Sequence, residues 1–398
     1  MKKIAIINQR YGIEVNGGSE YYARLLAEHL SSYYDVEVLT TNALNYDTWE
    51  PYYPAGTETV NGIKVRRFPV KRPRRVFKFR VINKLAEALN RLGIHGMDRY
   101  WVKEQGPLAP DLVSYIREHR KDYTAFLFVT YLYYTTAMGL PEAKEKAILI
   151  PTAHDEPCIY FPVYKTIFQS PRGILYLTEE EKEFVQKKFQ NESIPHDVLG
   201  VGIDIPKDLK EIEGKKKAVF DFRKKYGIAG KYLIYAGRVD SGKKCDEMFA
   251  FFQKYKQLHR EDPVQLVIIG RNMLEIPDHP DIHYLGFVSE EDKYAGIAGA
   301  SCLWLPSLYE SLSIALLEGM ALGVPGIVNG NCEVLKGHCR KSGGAVYYHN
   351  FSEFEQCMQR FYTMPEDDYA AMRQKAEEYI AGNYRWESLE SKLVRLIG

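Results

Sequence analysis

Two glutamates in the second half of the chain lie on either side of a predicted helix start. The sequence from Leu305 to Pro325 predicts a buried strand, a turn, an apolar helix beginning at Ser311, and a second turn. Glu318 would lie among the apolar residues of that helix, where a carboxylate needs a partner because an unpaired buried charge is costly. Glu310 directly precedes the helix, and eight residues of helical rise would separate the two carboxylates by about 12 Å.

The helix start predicts an anion site between these two carboxylates. Its first N–H groups lack partners within the helix, and the helix dipole is positive at that end. We expect the amides of Ser311 and Leu312 to hold a diphosphate, while Glu310 and Glu318 accept hydrogen bonds from sugar and ribose hydroxyls, respectively. The structural alternative makes Glu310 an N-terminal helix charge and Glu318 the partner of an arginine.

A second loop places cations at the start of another helix. Arg238, Lys243 and Lys244 follow the predicted strand Tyr232–Ala236 and precede a helix predicted near residues 246–258. Cations oppose the dipole at a helix N-terminus, so an anion or a carboxylate must lie close by. A guanidinium fork and a mobile ammonium suit a diphosphate that is bound without metal. The alternative pairs these cations with the neighbouring carboxylates of Asp240, Asp246 and Glu247.

Alternating segments predict the elements that must position these residues. Short apolar runs alternate with amphipathic stretches, and such runs include Ile4–Ile7, Ala125–Val129, Ala147–Ile150, Tyr232–Ala236 and Gln265–Ile269. This order is typical of parallel sheets covered by helices on both faces, whose ligands bind beyond the carboxyl ends of the strands. A polar stretch at about residues 206–217 interrupts it. We therefore predict domains at 1–205 and 206–380, followed by a helix at 381–398 that packs back on the first domain.

Two loops of the first half also carry candidate site residues. Gly17 and Gly18 follow the first strand, and paired glycines permit positive φ and a close approach of backbone to a ligand. The full dinucleotide pattern of three spaced glycines is missing, so a plain glycine turn is the alternative. His154 follows the strand Ala147–Ile150 and precedes two acidic residues, although a lone histidine is more often structural.

The chain resembles glycosyltransferase family four over nearly its whole length, and members of this family are retaining enzymes of the GT-B architecture. The resemblance rests on Gly237-Arg238 with Lys243 five residues further on, on Glu310 and Glu318 flanking seven residues, and on Gly323-Val-Pro325. Two departures occur, because Lys243-Lys244 stands where the family has Lys-Gly, and Leu312-Ser313 where it has Phe-Gly. Both put the fine shape of the phosphate pocket in question.

The resemblance implies a fold and roles for the candidate residues. The fold is α/β of the GT-B class, with two facing Rossmann-like doubly wound domains and an interdomain cleft. Gly17 and Gly18 would face the donor phosphates, and His154 would contact the donor sugar and help to position the acceptor, so that Glu310 and His154 are the catalytic candidates. The departing diphosphate is expected to take the acceptor proton, and we assign no protein nucleophile, metal or cofactor.

Composition narrows the remaining functions and the location. The chain has 398 residues with 53 Lys and Arg against 52 Asp and Glu, which disfavours a nucleic-acid partner. The start has no long apolar region of a secretory signal, and six cysteines without a paired pattern suit reduced thiols, so we predict a cytoplasmic protein. Cys332, His338 and Cys339 lie close enough in sequence to suggest a zinc site. The chain has no second pair of ligands at the spacing typical of zinc sites.

The segment from Lys64 to Arg80 has the one strong charge asymmetry that we identify in the sequence. It contains nine basic residues and no acidic one, with Phe68, Phe77 and Phe79 interleaved. One interpretation is contact with an anionic membrane or a lipid-linked acceptor, which would place the protein peripherally at the inner face of the membrane. The other interpretation is a solvated loop.

These patterns, together with the resemblance, predict a metal-independent glycosyltransferase that retains the anomeric configuration. It would move a sugar from a nucleotide-sugar donor to a hydroxyl of a saccharide or lipid-linked acceptor, in the synthesis of cell-surface polysaccharide or glycoconjugate. Two alternatives stay open, because fold alone does not settle chemistry. One is a non-catalytic scaffold that binds nucleotide sugars, and the other is a GT-B enzyme of another kind, such as a sugar epimerase or a phosphorylase.

Overall fold

The computed structural model describes residues 1–15 and 17–398, which form two compact units. Unit 1 comprises Met1–Gly200 together with Glu387–Gly398, and unit 2 comprises Val201–Trp386. The division thus falls after Gly200, whereas the sequence placed it after residue 205. Asn16, which precedes the two candidate glycines, lies outside the described residues.

Unit 1 is built on an eight-stranded sheet. Its strands are β1 Lys3–Ile7, β2 Asp35–Thr41, β3 Gly56–Val60, β4 Ile63–Phe68, β5 Ala125–Val129, β6 Ala147–Ile150, β7 Gly173–Tyr176 and β8 His196–Val198. They lie in the order β3-β4-β2-β1-β5-β6-β7-β8. All neighbours pair in parallel except β3, which is antiparallel to β4 and exposed along most of its length.

Helices cover this sheet. They are α1 Gly18–Leu30, α2 Val76–Arg91, α3 Asp98–Gln105, α4 Pro110–His119, α5 Tyr134–Gly139, α6 Val163–Gln169 and α7 Glu179–Phe189. The four residues of β6 are fully buried, as expected for a central strand of a parallel sheet covered on both faces.

Unit 2 has a six-stranded sheet in which every pair is parallel. Its strands are β9 Tyr232–Ala236, β10 Gln265–Ile269, β11 Ile282–Gly286, β12 Cys302–Leu305, β13 Gly326–Asn329 and β14 Ala345–Tyr348, in the order β11-β10-β9-β12-β13-β14. Its helices are α8 Lys207–Lys210, α9 Ile212–Tyr226, α10 Cys245–Leu258, α11 Glu290–Ala298, α12 Ile314–Ala321, α13 Glu333–Ser342, α14 Phe351–Thr363 and α15 Glu366–Asn383. The prediction of two parallel α/β sheets is confirmed.

The strand order reverses once in each sheet. In unit 1 the reversal lies between β1 and β5, and in unit 2 it lies between β9 and β12. Loops that leave the carboxyl ends of such neighbouring strands diverge and open a crevice, which is where doubly wound sheets bind their ligands. The loop after β9 and the loop after β12 are therefore the first places to look for a site in unit 2.

A last helix, α16 Trp386–Ile397, returns the chain to unit 1. Lys392 donates to the carbonyl of Val198 over 2.8 Å, and Arg395 pairs with Asp197 at 3.0 Å. Three apolar side chains of this helix are at most 3% exposed, namely Leu389, Leu393 and Ile397. Within residues 1–15 and 17–398, each helix is too short or too polar to span a bilayer.

Candidate active site

In the loop after β9, the carboxylate of Asp240 contacts both Arg238 and Lys243. Nε of Arg238 donates to Oδ2 of Asp240, and Oδ1 of Asp240 accepts from the backbone N–H of Lys243 over 2.8 Å. Lys244 follows with φ +59, in the left-handed region, and α10 begins at the next residue. The local pairing that the sequence left open is therefore realised for Arg238, whose side chain is 37% exposed.

Lys243 and Glu310 meet across the reversal point of the sheet. Nζ of Lys243 donates to Oε1 of Glu310 over 2.6 Å, joining two loops that lie 67 residues apart in the chain. The side chains are 29% and 15% exposed, so the pair contributes only modestly to folding. It places one cation and one carboxylate where ligands of this fold bind.

Glu318 is buried and held by its neighbours on α11. Its side chain is 5% exposed, and Oε1 accepts hydrogen bonds from Nζ of Lys293 and from the hydroxyl of Tyr294, each over 2.9 Å. The structural alternative named an arginine as the partner, and the structure gives a lysine and a tyrosine instead. Both contacts fall on Oε1, so the carboxylate is fixed in orientation by two donors on one oxygen.

The helix after Glu310 begins later than the sequence predicted. Residues 310–313 are not helical, and α12 starts at Ile314 after Ser313, which has φ +66. Ser311 and Leu312 therefore belong to the preceding loop, and their amides are not those of the first helical turn. The separation of about 12 Å between Glu310 and Glu318, which assumed eight residues of helical rise, does not apply for the same reason.

His338, on α13, holds this loop in place. Its Nε2 lies 2.8 Å from the carbonyl oxygen of Leu312, and its Nδ1 lies 3.0 Å from the hydroxyl of Tyr379. The imidazole is 1% exposed, and Leu312 is 3% exposed. Sequence reasoning considered this histidine only as a metal ligand and missed its contact with the loop, because no local pattern links residues 26 positions apart.

In unit 1, Gly17 lies directly before α1. A buried ion pair next to it leaves no room for a side chain at this position. A Cβ atom at this position, where φ is +153, would lie 2.2 Å from Oε2 of Glu20. Nε of Arg10 donates to the same carboxylate over 2.9 Å, and both side chains are about 5% exposed or less. Burial opposes ionisation of Glu20, but Arg10 and Ser19 outweigh it and lower the pKa of this carboxyl. A Cβ at Gly18 would meet no atom within 4 Å, so sterics do not require glycine there.

His154 lies after β6 beside an acidic partner. Its Nδ1 is 3.2 Å from Oε1 of Glu156, which also accepts from the hydroxyl of Tyr131 over 2.7 Å. Burial opposes ionisation of Glu156, yet the contacts with His154 and Tyr131 prevail and lower its pKa. A carboxylate thus lies beside the ring, an arrangement that suits a histidine with a positioning or proton-sharing role.

A second carboxylate holds the backbone of the His154 loop. Oε1 of Glu181 accepts from the N–H of Ala153, and Oε2 accepts from the N–H of Leu177 over 2.6 Å. Thr152, one residue earlier, has φ +49, so the loop keeps a strained turn in place. Burial raises the pKa of Glu181 to about 8. A capping pattern from Thr178 to Glu181 in the sequence could have pointed to this residue.

The basic segment from Lys64 to Arg80 is largely committed to internal contacts. Five of its nine cations reach carboxylates: Lys64 and Arg66 contact Glu37, Arg67 contacts Glu58, and Arg72 and Lys78 contact Glu104. Arg74 donates to the carbonyls of Tyr46 and Asp47. Phe68 is buried and Phe79 packs against the core, whereas Phe77 is 81% exposed. The segment is therefore neither a uniformly free cationic surface nor a plain solvated loop.

The chain is similar in sequence to known glycosyltransferases. Residues 230–363 match the family described as Glycosyl transferases group 1. An uncharacterised glycosyltransferase of Methanocaldococcus jannaschii is 25% identical over 350 residues, which are 84% of this chain and 83% of that protein. Unit 2 carries a group 1 glycosyltransferase domain. Lys243, Glu310 and Glu318 all lie within residues 230–363, which match the family.

Solved structures share the fold of the glycosyltransferase over nearly its whole length. Sucrose-phosphate synthase of Thermosynechococcus elongatus is similar with a TM-score of 0.70 and 16% identity, covering 100% of this chain and 98% of that one. WaaG, a glycosyltransferase involved in lipopolysaccharide biosynthesis, has a TM-score of 0.67 at 13% identity, and HepE of Anabaena, in complex with UDP and glucose, has 0.68 at 12%. Each covers 99% of both chains. The predicted GT-B class, with two Rossmann-like domains, is confirmed.

Proposed function

We propose that this glycosyltransferase moves a sugar from a nucleotide-sugar donor to a hydroxyl of a saccharide or lipid-linked acceptor, with retention of the anomeric configuration. The observation that carries the proposal is the contact between Lys243 and Glu310 at the reversal point of the unit 2 sheet. HepE, which has the same fold, has been crystallised with UDP-glucose, and this supports a nucleotide sugar as the donor.

Lys243 and Arg238 bind the diphosphate of the donor in this proposal. Lys243 donates to Glu310, and a diphosphate next to the loop would compete for the same ammonium group. Once the lysine turns to phosphate, the carboxylate of Glu310 accepts hydrogen bonds from the hydroxyls of the transferred sugar. Because the two cations and the amides before α12 supply positive charge, we propose that a divalent metal is not needed.

Glu318 binds the ribose of the donor in this proposal. Lys293 and Tyr294 hold Oε1, so the carboxylate cannot rotate freely and Oε2 keeps a fixed direction. A pre-oriented carboxylate accepts hydrogen bonds from two neighbouring hydroxyls at little entropic cost. This role and the structural role of the residue are compatible, since they use different oxygens.

The chemistry needs no nucleophile from the protein. The bond between the anomeric carbon and the diphosphate oxygen breaks, the acceptor oxygen attacks from the same face, and the departing diphosphate takes the acceptor proton. We propose that His154, which lies beside Glu156, contacts the donor sugar and positions the acceptor. Gly17 and Gly18 are proposed to face the donor phosphates. The protein then acts by orienting the reactants and by stabilising developing charge.

A lipid-linked acceptor would bring the enzyme to an anionic membrane surface.

We further propose that the enzyme acts in the cytoplasm, since the six cysteines are all free thiols and five of them are buried. Synthesis of cell-surface polysaccharide or glycoconjugate is the process that we propose for it.

The test is turnover of a panel of nucleotide sugars with simple saccharide acceptors. We expect one donor to raise the melting temperature, to be consumed, and to give a product that proton NMR identifies as retained. Added chelator should leave the rate unchanged. An inverted product, or activity that is lost in chelator and restored by magnesium or manganese, would contradict the mechanism. Tight donor binding without hydrolysis or transfer would favour the non-catalytic scaffold.

A further inference from the structure

Helix α2 presents an apolar stripe to solvent. Phe77, Val81 and Leu85 are 81%, 54% and 47% exposed, and the exposed Ala88 continues their line. At about 100° per residue these four positions fall within an arc of roughly 80° on the helix. The opposite side of the helix carries the buried Ile82 and Ala86, which pack into the core of unit 1 together with Phe79. The helix therefore has two apolar faces, and the core covers one of them.

The stripe continues beyond the end of the helix. Leu92 and Ile94, in the turn that follows Arg91, are 74% and 54% exposed. A line of neighbouring exposed apolar side chains, unlike a single exposed one, is typical of an interaction site. The elements of unit 1 leave it in contact with solvent.

Exposed cations lie beside the stripe. Arg80, Lys84 and Arg91 occupy the positions next to it on one side of the helix, and all three are exposed. The stretch 69–97 contains eight Lys and Arg residues and one acidic residue, Glu87, although the whole chain has a net charge of only +1. Lys64, Arg66, Arg67, Arg72 and Lys78 pair with carboxylates. Arg80, Lys84 and Arg91 form no such ion pair within the described part of the chain. The surface is thus apolar along a line and positive beside it.

We propose that this face of α2 docks the protein on an anionic lipid bilayer. A helix with an apolar face and flanking Lys and Arg lies in the plane of the membrane interface, with its apolar side chains among the upper acyl chains. The cations contact lipid phosphates, and each changes membrane partitioning by roughly fivefold near an anionic surface. Phe77, Val81 and Leu85 insert, while Arg80, Lys84 and Arg91 remain at the headgroups.

The position of α2 connects this surface with the carboxyl edge of the unit 1 sheet. The helix begins eight residues after the end of β4, and Arg74, just before it, is bonded to the loop that follows β2. The stripe thus starts near the edge at which ligands of such a sheet bind. Docking through α2 does not depend on the donor chemistry, so it can be tested apart from the proposed reaction.

The test is co-sedimentation of the full chain with two kinds of vesicle. One contains phosphatidylcholine alone, and the other contains equal parts of phosphatidylcholine and phosphatidylglycerol. We expect binding to the anionic vesicles, and weaker binding at about 0.5 M salt because screening acts on exposed charges. The variant Arg80→Gln/Lys84→Gln should bind about 25-fold more weakly. The variant Phe77→Ser/Leu85→Ser should bind at least about tenfold more weakly, because two large apolar side chains no longer insert.

Unit 2 offers matched controls on α9. Ile212 and Phe220 are 73% and 65% exposed there, and Lys217 and Lys224 are exposed cations. The variants Ile212→Ser/Phe220→Ser and Lys217→Gln/Lys224→Gln should bind vesicles like the unmodified protein. Absence of binding to anionic vesicles, equal binding to neutral ones, or equal losses in the α9 variants would overturn the proposal. So would a dimer in solution that Phe77→Ser/Leu85→Ser dissociates, since the stripe would then be a protein interface.

Discussion

At the scale of single residues, the two carboxylates of the site should respond differently to removal. Glu318 is proposed to hold ribose in both the ground state and the transition state, so Glu318→Ala should raise KM for the donor by about tenfold or more with little change in kcat. Glu310→Ala should instead lower kcat, because its contact with the sugar matters most as the bond breaks. Steady-state kinetics with the active donor measures both effects.

Lys293 provides the control for Glu318. If Glu318 served only to neutralise this lysine, then Lys293→Gln would disturb donor binding as strongly as Glu318→Ala does. We expect Lys293→Gln to have the smaller effect on KM, since the carboxylate and its contact with Tyr294 remain. Unchanged kinetics in both glutamate variants would refute the site as assigned.

Glu181 predicts a dependence of stability on pH. Its pKa is about 8 in the folded protein and 4.5 for the ordinary group, so between these values the folded state holds a proton that the unfolded state has lost. The contribution of this group to stability therefore falls as pH rises, and from pH 5 to pH 8 it lowers the free energy of unfolding by about 3 to 4 kcal/mol. Urea unfolding across this range should show the decline.

Glu181→Gln is the control, because an amide does not titrate. The variant should lose most of the decline between pH 5 and pH 8, although it is expected to be less stable at pH 5. Carboxyls with lowered pKa values, such as Glu20 and Glu156, titrate below this window and do not interfere. A decline of the same size in both proteins would assign the effect to other groups.

At the scale of elements, the sequence predicted strands better than helix starts. The predicted runs at Ala125–Val129, Ala147–Ile150 and Tyr232–Ala236 are strands with those same bounds, because a buried parallel strand must be apolar throughout. The start of α12 was wrong by three residues. Ser313 adopts a left-handed conformation that serine does not signal, and the contact of His338 with Leu312 depends on packing across the domain.

The two departures from the family pattern share this conformation. Lys244 and Ser313 stand where the family has glycine, and their φ values are +59 and +66. A non-glycine residue there costs about 1 kcal/mol or somewhat more. Ser313→Gly should thus leave the free energy of unfolding unchanged or raise it by up to about 1 kcal/mol, after allowing for the greater freedom of glycine in the unfolded chain.

Ser313→Val tests the same backbone from the other side. A β-branched side chain tolerates the left-handed region poorly, so this variant should be less stable than Ser313→Gly by about 2 kcal/mol in urea unfolding. Equal stability of the two variants would mean that residue 313 is not held in this conformation in solution. Lys244→Gly should behave like Ser313→Gly if its charge is dispensable for folding.

At the scale of the whole molecule, composition predicted two domains, but the path of the chain between them depends on contacts distant in sequence. The chain leaves unit 1 after Gly200 and returns to it with α16. His29 and Tyr33 contact Glu390 across about 360 residues, and no local pattern announces such a contact. The return of the chain makes the stability of unit 1 depend on the last helix.

Deletion of residues 387–398 should therefore destabilise unit 1 selectively. The deletion exposes the surface that Leu389, Leu393 and Ile397 cover, and burial of three such side chains contributes roughly 5 kcal/mol. Hydrogen exchange followed by mass spectrometry should show faster exchange within residues 1–200, while peptides from 201–386 keep their protection. Leu393→Ala should give a smaller effect in the same region, because it truncates only one of the three buried side chains. Arg395→Ala removes an exposed ion pair and should change little. Loss of protection in both units, or in neither, would show that α16 does not belong to the folding unit of residues 1–200.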